Sequence, residues 1–169
     1  ARLQSIPFFG SALATLLRLL KRENIDVINS HWLLPSGLLG SIAAASLRRR
    51  HLLTLHTTGV SLAMQLPLNG IMCRFIDRHT HATLPVSRFV KKRYQTMLGY
   101  EPSHLETVPM GVDTEQFTPG DRAASREDGL RFLFVGRLTP RKGVRYLLRA
   151  FARVAADRPD APLTVVGDG

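Results

Sequence analysis

Residues 131–143, RFLFVGRLTPRKG, decide how the rest of the chain is read. Arg131 to Val135 is a short apolar run of strand-favouring residues, and it stops at Gly136. From Gly136 to Gly143 the chain reads as a turn bounded by glycines and carrying Arg137, Arg141 and Lys142. Beyond it Val144, Leu147, Leu148, Phe151 and Val154 recur at helical spacing, which predicts a helix with these residues on its buried face. Asp157 to Pro162 breaks that helix, and Leu163 to Val166 (LTVV) is a second strand running into Gly167-Asp168-Gly169. The unit is strand, turn, helix, strand. A turn between a strand and a helix presents backbone N–H groups and the positive end of the helix dipole to one place. Arg137 and Lys142 add two full charges there, and the flanking glycines let the backbone approach a ligand closely. The chemistry suits a phosphate or diphosphate; the alternative is an ordinary basic loop. The turn lacks the lysine-serine ending of a P-loop and is not a GxGxxG fingerprint.

Working back toward the start, strands and helices alternate. Ser11–Lys21 predicts a helix capped by Ser11, with Leu13, Leu16, Leu17 and Leu20 on one face. Ile25–Asn29 is a strand, Pro35–Leu47 a helix with Pro35 in its first turn, and His51–His56 the next strand. Met64–His79 predicts a helix interrupted near Pro67–Gly70. Ala82–Val86 is a strand, followed by a helix that Ser87 caps and Gly99 closes, and then a short strand over Leu105–Val108. The alternation argues for an α/β fold with a parallel sheet covered on both faces, antiparallel α+β being the other option. Residues 110–129 are rich in Gly, Asp and Ser and read as a linker or long surface loop. The β-α-β at 130–169 buries too little to stand alone, so it either leans on the first domain or begins a longer one.

Composition narrows the partners. Lys and Arg number 23 against 13 Asp and Glu, a formal charge of +10 that attracts anions such as nucleotides, phosphosugars, anionic lipid or nucleic acid. One Trp and three Tyr give little surface for base stacking, which argues against nucleic acid. Cys73 is the single cysteine and reads as a reduced, partly buried thiol. With neither a secretory signal nor a span of about 18 apolar residues in view, the expected location is the cytoplasm. No His, Cys, Asp or Glu group has metal-ligand spacing; His79 and His81, two apart, point to opposite sides of an extended chain.

Val135–Gly143, followed by Leu147, Leu148, Ala150 and Phe151, resembles the donor-domain signature of the family 4 glycosyltransferases. The resemblance extends to Leu163–Gly169, to Val108–Phe117 and back through Leu84–Ser87, His56-Thr57-Thr58 and Ser30-His31-Trp32. Met110 departs from it, since the family usually has Asn there. The resemblance implies a GT-B fold of two Rossmann-like domains: an acceptor-side domain over 1–109, a linker over 110–129 and the start of the donor-binding domain over 130–169. It also implies a retaining, metal-independent transferase with no cofactor and a nucleotide-diphosphate sugar as co-substrate. The acceptor would be a glycan, lipid or small-molecule hydroxyl, and the reaction would sit in a cleft that closes between the domains.

Residue by residue, the resemblance implies that Arg137 and Lys142 bind the donor diphosphate, with Gly136 and Gly143 shaping the turn. His56, at the carboxyl end of a predicted strand where open α/β sheets collect ligands, would orient the transferred sugar. His31 holds the corresponding place after the preceding strand, and Thr57, Thr58 and Gly59 would shape the pocket. Gly111 and Asp113 are expected to fix the crossover between domains. The glycine-rich loop that the family carries after its first strand, and its later acidic motif, are not found. The expectation is therefore a partial chain, truncated at its start and continuing past Gly169, that is inactive alone. The basic surface suggests peripheral attachment to the inner face of an anionic membrane. The competing expectations are a non-catalytic phosphate- or nucleotide-binding α/β module and, more remotely, a basic nucleic-acid-binding protein.

Overall fold

The computed structural model describes residues 5–119 and 130–169. The chain divides into two compact units, Ala1–Gly111 and Val112–Gly169. Residues 120–129, part of the expected linker, lie outside the described residues.

The first unit runs α1 (Ser5–Arg22), β1 (Val27–His31), α2 (Leu38–Leu47), β2 (Arg50–Leu55), α3 (Thr57–Ala63), α4 (Asn69–Arg78), β3 (Ala82–Pro85) and α5 (Arg88–Leu98). The strands form a parallel sheet in the order β1-β2-β3, with Ile28 beside His51 and Leu53 beside Thr83. A segment after α5 adds to the edge of β3, Glu106 N–H donating to Thr83 and Val108 N–H to Pro85. It pairs too briefly to make the full strand expected over Leu105–Val108: only the Thr83–Leu105 bridge forms.

Burial alternates along β1 and β2 instead of being continuous. Ile28, Ser30, His51, Leu53 and Leu55 are buried, whereas Val27, Asn29 and His31 are exposed. The expectation of a sheet covered on both faces therefore fails in this unit. Consecutive right-handed crossovers that step in one direction along the sheet put all their helices on the same side. Leu53 and Leu55 accordingly pack with Val60, Ile76, Val90 and Tyr94 from α3, α4 and α5. A second cluster joins Leu20 of α1, Ile28 of β1 and Ala43 and Ala44 of α2.

Two helix starts differ from the expected ones. Helix α1 begins at Ser5, and Ser11 lies inside it with its hydroxyl donating to the Phe8 carbonyl instead of capping. Pro35 stands in an irregular turn, Leu33–Gly37, behind a cis peptide bond, and α2 starts only at Leu38. Of the helix expected over Met64–His79 only Asn69–Arg78 forms, as α4; residues 64–68 are irregular, and α3 at Thr57–Ala63 precedes the expected helix and was not anticipated. By contrast Ser87 does cap α5, its Oγ accepting from Val90 N–H at 3.3 Å, and Gly99 closes it. Ser87→Ala is expected to cost about 1 kcal/mol of stability; equilibrium urea unfolding of the two proteins reads it directly.

A buried polar chain runs across this core. His51 Nδ1 lies 2.9 Å from Thr80 Oγ1, and His51 Nε2 lies 3.0 Å from Ser30 Oγ. Thr80 gives its own proton to the Ile76 carbonyl, so Nδ1 carries the imidazole proton and Nε2 accepts from Ser30. Burial first of all, with His81 nearby, lowers the His51 pKa from 6.5 to about 4, against the partly offsetting His79 carbonyl. Cys73 is buried, with its thiol pushed up to about 11 chiefly by that burial.

The second unit holds β4 (Phe132–Val135), a 3-10 turn over Pro140–Lys142, α6 (Val144–Asp157) and β5 (Leu163–Val166). Strands β4 and β5 pair in parallel, and Phe132 meets Phe151 of α6 edge to face. Among the described residues of this unit only Ala161 is buried. Leu148 is exposed, contrary to its expected place on the buried face of α6. One helix on two strands covers a single side, which leaves Leu133, Val135 and Val166 open on the sheet.

Candidate functional site

In the first unit the site residues gather at the carboxyl ends of β1 and β2. His31 is the last residue of β1 and His56 follows β2 directly. Their register brings them together: His31 Nδ1 lies 3.1 Å from His56 Nε2, and the rings stack with centroids 5.4 Å apart. One nitrogen of that contact must donate and the other accept, so the pair is held with a single proton between the two rings. Burial, and then the neighbouring His31, lowers the His56 pKa below its ordinary 6.5. His56 is therefore neutral at pH 7, and its Nδ1 has no hydrogen-bond partner among the described residues. On the half-buried His56 ring this nitrogen is left able to bond a hydroxyl.

The helix that follows supports this arrangement by proximity. A Cβ at Gly59 would stand 2.9 Å from the Leu33 amide and 3.2 Å from Trp32 Cβ. Only glycine lets α3 press against the chain leaving β1, and that approach holds His56 beside His31 and Trp32. Gly59 is buried, so it supports the pocket wall from behind, whereas Thr57 and Thr58 are exposed next to His56. Trp32, quoted in the sequence but given no role, lies 6.3 Å from His56 edge-on and is half exposed with φ of 71°. The available signal was the single tryptophan of the chain standing directly after His31.

In the second unit the basic turn has a braced backbone. Gly136 N–H donates to Val166 and Leu138 N–H to Asp168, which continues the β4–β5 ladder past the ends of both strands. A Cβ at Gly167 would collide with the Gly136 carbonyl, so the two glycine ends lie directly against each other. Gly143, at φ 74°, turns the 3-10 segment into α6. Arg137 and Lys142 are exposed on this turn, and neither has an ion-pair partner among the described residues. The first amides of α6, at Val144 and Arg145, lack a carbonyl one turn back within the helix. A cavity of about 340 Å³ borders the turn, lined by Leu138, Thr139, Pro140, Val144, Arg145 and Tyr146. Arg137 and Lys142 lie outside its lining. Arg145 and Tyr146 were not anticipated; their position just after Gly143, in the first helical turn, was the sign.

Gly111 ends the first unit and sits in open space. Asp113 is engaged locally, its Oδ1 accepting from the Glu115 and Gln116 amides at 2.9 and 3.1 Å. Among the described residues no group of three or more His, Cys, Asp and Glu is placed to hold a metal ion. Nor is any described helix long and apolar enough to cross a membrane.

Comparison with known proteins gives consistent neighbours. Residues 2–116 match the family described as Glycosyltransferase Family 4, and residues 120–169 match Glycosyl transferases group 1. A GDP-mannose-dependent alpha-(1-6)-phosphatidylinositol monomannoside mannosyltransferase of Mycolicibacterium smegmatis is 32% identical over 159 residues, 90% of this chain and 41% of that protein. A GDP-mannose-dependent monoacylated alpha-(1-6)-phosphatidylinositol monomannoside mannosyltransferase of Corynebacterium glutamicum is 31% identical over 96% of this chain and 44% of its own length. The chain thus spans less than half the length of these relatives. Among solved structures, Anabaena HepE in complex with UDP and glucose superposes with a TM-score of 0.67 at 19% identity, over 96% of this chain and 43% of that one. That likeness is one of fold, an α/β architecture with parallel sheets.

Proposed function

The chain belongs to glycosyltransferase family 4, and from that membership we propose that it forms part of a retaining enzyme moving a sugar from a nucleotide-diphosphate sugar to a hydroxyl acceptor. The observation that carries the reading is the glycine-braced turn with its two unpaired cations, Arg137 and Lys142. A departing nucleoside diphosphate gains charge as the sugar bond breaks, and fixed cations and amides stabilise that charge more than they stabilise the bound donor. Gly136 and Gly143 shape the cradle. The neutral His56, steadied by His31, orients a sugar hydroxyl, and Thr57 and Thr58 border it. Gly111 and Asp113 form the crossover. We assign 1–109 to the acceptor side, 110–129 to the linker and 130–169 to the opening of the donor-binding domain. A nucleotide sugar serves as co-substrate without a further cofactor.

A lipid acceptor has the best support, because two similar proteins are named for phosphatidylinositol mannosides. We accordingly place the activity at the inner face of a membrane, held there peripherally. The test incubates the complete polypeptide with GDP-mannose, then with other nucleotide sugars, and with inositol-containing lipid. Acceptor-dependent release of nucleoside diphosphate is expected, with the anomeric configuration preserved in the product. Tight nucleotide binding without release from any donor would instead favour the non-catalytic module.

A further inference from the structure

From Thr57 to Cys73 the chain carries no charged residue, yet much of this stretch is on the surface. Residues 64–68, MQLPL, are all exposed between α3 and α4. Leu68 is 73% exposed and adopts φ of 59°, a left-handed conformation uncommon outside glycine, at the start of α4 where its carbonyl accepts from the Ile71 and Met72 amides. Helix α4 is apolar on two sides. Cys73 and Ile76 face the core, while Ile71 (59% exposed) and Phe75 stand at four-residue spacing on the outside, followed by Arg78. A surface helix ordinarily puts polar residues there.

Helix α5 extends the same surface. The Arg93 guanidinium lies 4.6 Å above the exposed Phe89 ring and reaches Ser61 and Met64 of the α3 end. Lys92 shares the exposed side of α5 with Phe89, three residues on. From residue 57 to residue 100 the cations are Arg74, Arg78, Arg88, Lys91, Lys92 and Arg93, and the single acid is Asp77. Asp77 is buried, with its carboxylate taken by Tyr100 and by His104 at 3.1 Å. Just past this stretch the exposed Glu101 pairs with Lys91 at 3.0 Å, so the surface is apolar at its tip and net positive around it, with Arg78, Lys92 and Arg93 free of acidic partners among the described residues.

We propose that the α3–α4 connection and the outward stripe of α4 dock onto an anionic lipid bilayer. Leu66, Leu68 and Ile71 enter the boundary between headgroups and acyl chains, and Arg78, Lys92 and Arg93 contact lipid phosphates. Apolar side chains supply the insertion and the cations supply the preference for anionic lipid. The charge pattern selects this occupant, since a second copy of the same basic surface would be repelled. The inference rests on the lipid-acceptor part of the proposed function and names the surface that part requires.

The experiment is co-sedimentation of the complete polypeptide with vesicles of phosphatidylcholine alone and of phosphatidylcholine mixed with phosphatidylglycerol, at low and high salt. Binding to the mixed vesicles is expected, weakening as salt rises. The double variant L68E/I71E is expected to bind at least about tenfold less tightly. L68G, which relieves the left-handed residue, is expected to bind several-fold less tightly without a lowered unfolding midpoint. Absence of wild-type binding at low salt, equal binding to neutral vesicles, or L68E/I71E binding like wild type would each overturn the proposal. So would a wild-type dimer that L68E/I71E makes monomeric. Transfer to a water-soluble acceptor analogue, measured on the same variants, separates the two ideas. It persists in L68E/I71E if only docking is lost, and it is missing from wild type if the transferase reading is at fault.

Discussion

Lys142→Ala is expected to lower kcat/KM of the complete polypeptide about a hundredfold with its donor, and Arg137→Ala by a similar factor. The size follows from losing one charge opposite a developing anion, taken at about 2.7 kcal/mol, the lower end of what removing a single transition-state donor costs. Both side chains are exposed and have no ion-pair partner among the described residues, so truncation breaks no protein contact. Unfolding midpoints should stay near wild type. A loss of activity with unchanged stability is thus the signature of a donor contact. Lys142→Arg should recover part of the loss, since it keeps the charge but changes its reach. Steady-state kinetics with each variant decide the matter: values within about threefold of wild type would remove the turn from the donor site.

Acid should weaken the first unit through His51. Its pKa in the folded chain is about 4, below the ordinary 6.5, because burial between Ser30 and Thr80 admits only the neutral ring. Protonation thus belongs to the unfolded chain over that interval. The contribution is fully present above pH 6.5 and falls away as pH drops toward 4, by about 3 kcal/mol in all. Urea unfolding at pH 7 and pH 4.5 measures the drop. His51→Asn removes the titrating ring, so its stability is lower at pH 7 but loses less between the two conditions. Parallel pH curves for the two proteins would show that other groups carry the acid sensitivity.

Much of this architecture is legible in the sequence. The β-α-β around 131–169 reads directly from a strand run, a glycine-bounded turn and a helical apolar period, and the chain forms those elements within a residue or so. Ser87 and Gly99 announce the limits of α5 because capping is chemistry between neighbours in the chain. The family resemblance likewise needs only ordered local motifs.

What the sequence could not express depends on residues distant in the chain. That the helices of the first unit cover one face of β1-β2-β3, leaving the other exposed along β1 and half-buried along β2 and β3, follows from crossover direction, not from the composition of any strand. Pro35 lies in an irregular turn, and Ser11 sits inside a helix that starts at Ser5, its hydroxyl bonding back to the Phe8 carbonyl instead of capping. His51 is an unremarkable strand residue until the fold places Ser30 on one side and Thr80 on the other. The sequence by itself determined most of the elements, the basic turn and the family. Tertiary structure alone decided that His31 and His56, 25 residues apart, share a hydrogen bond. It also decided that Leu68 and Ile71 face outward, since only three-dimensional packing shows which apolar side chains find a core.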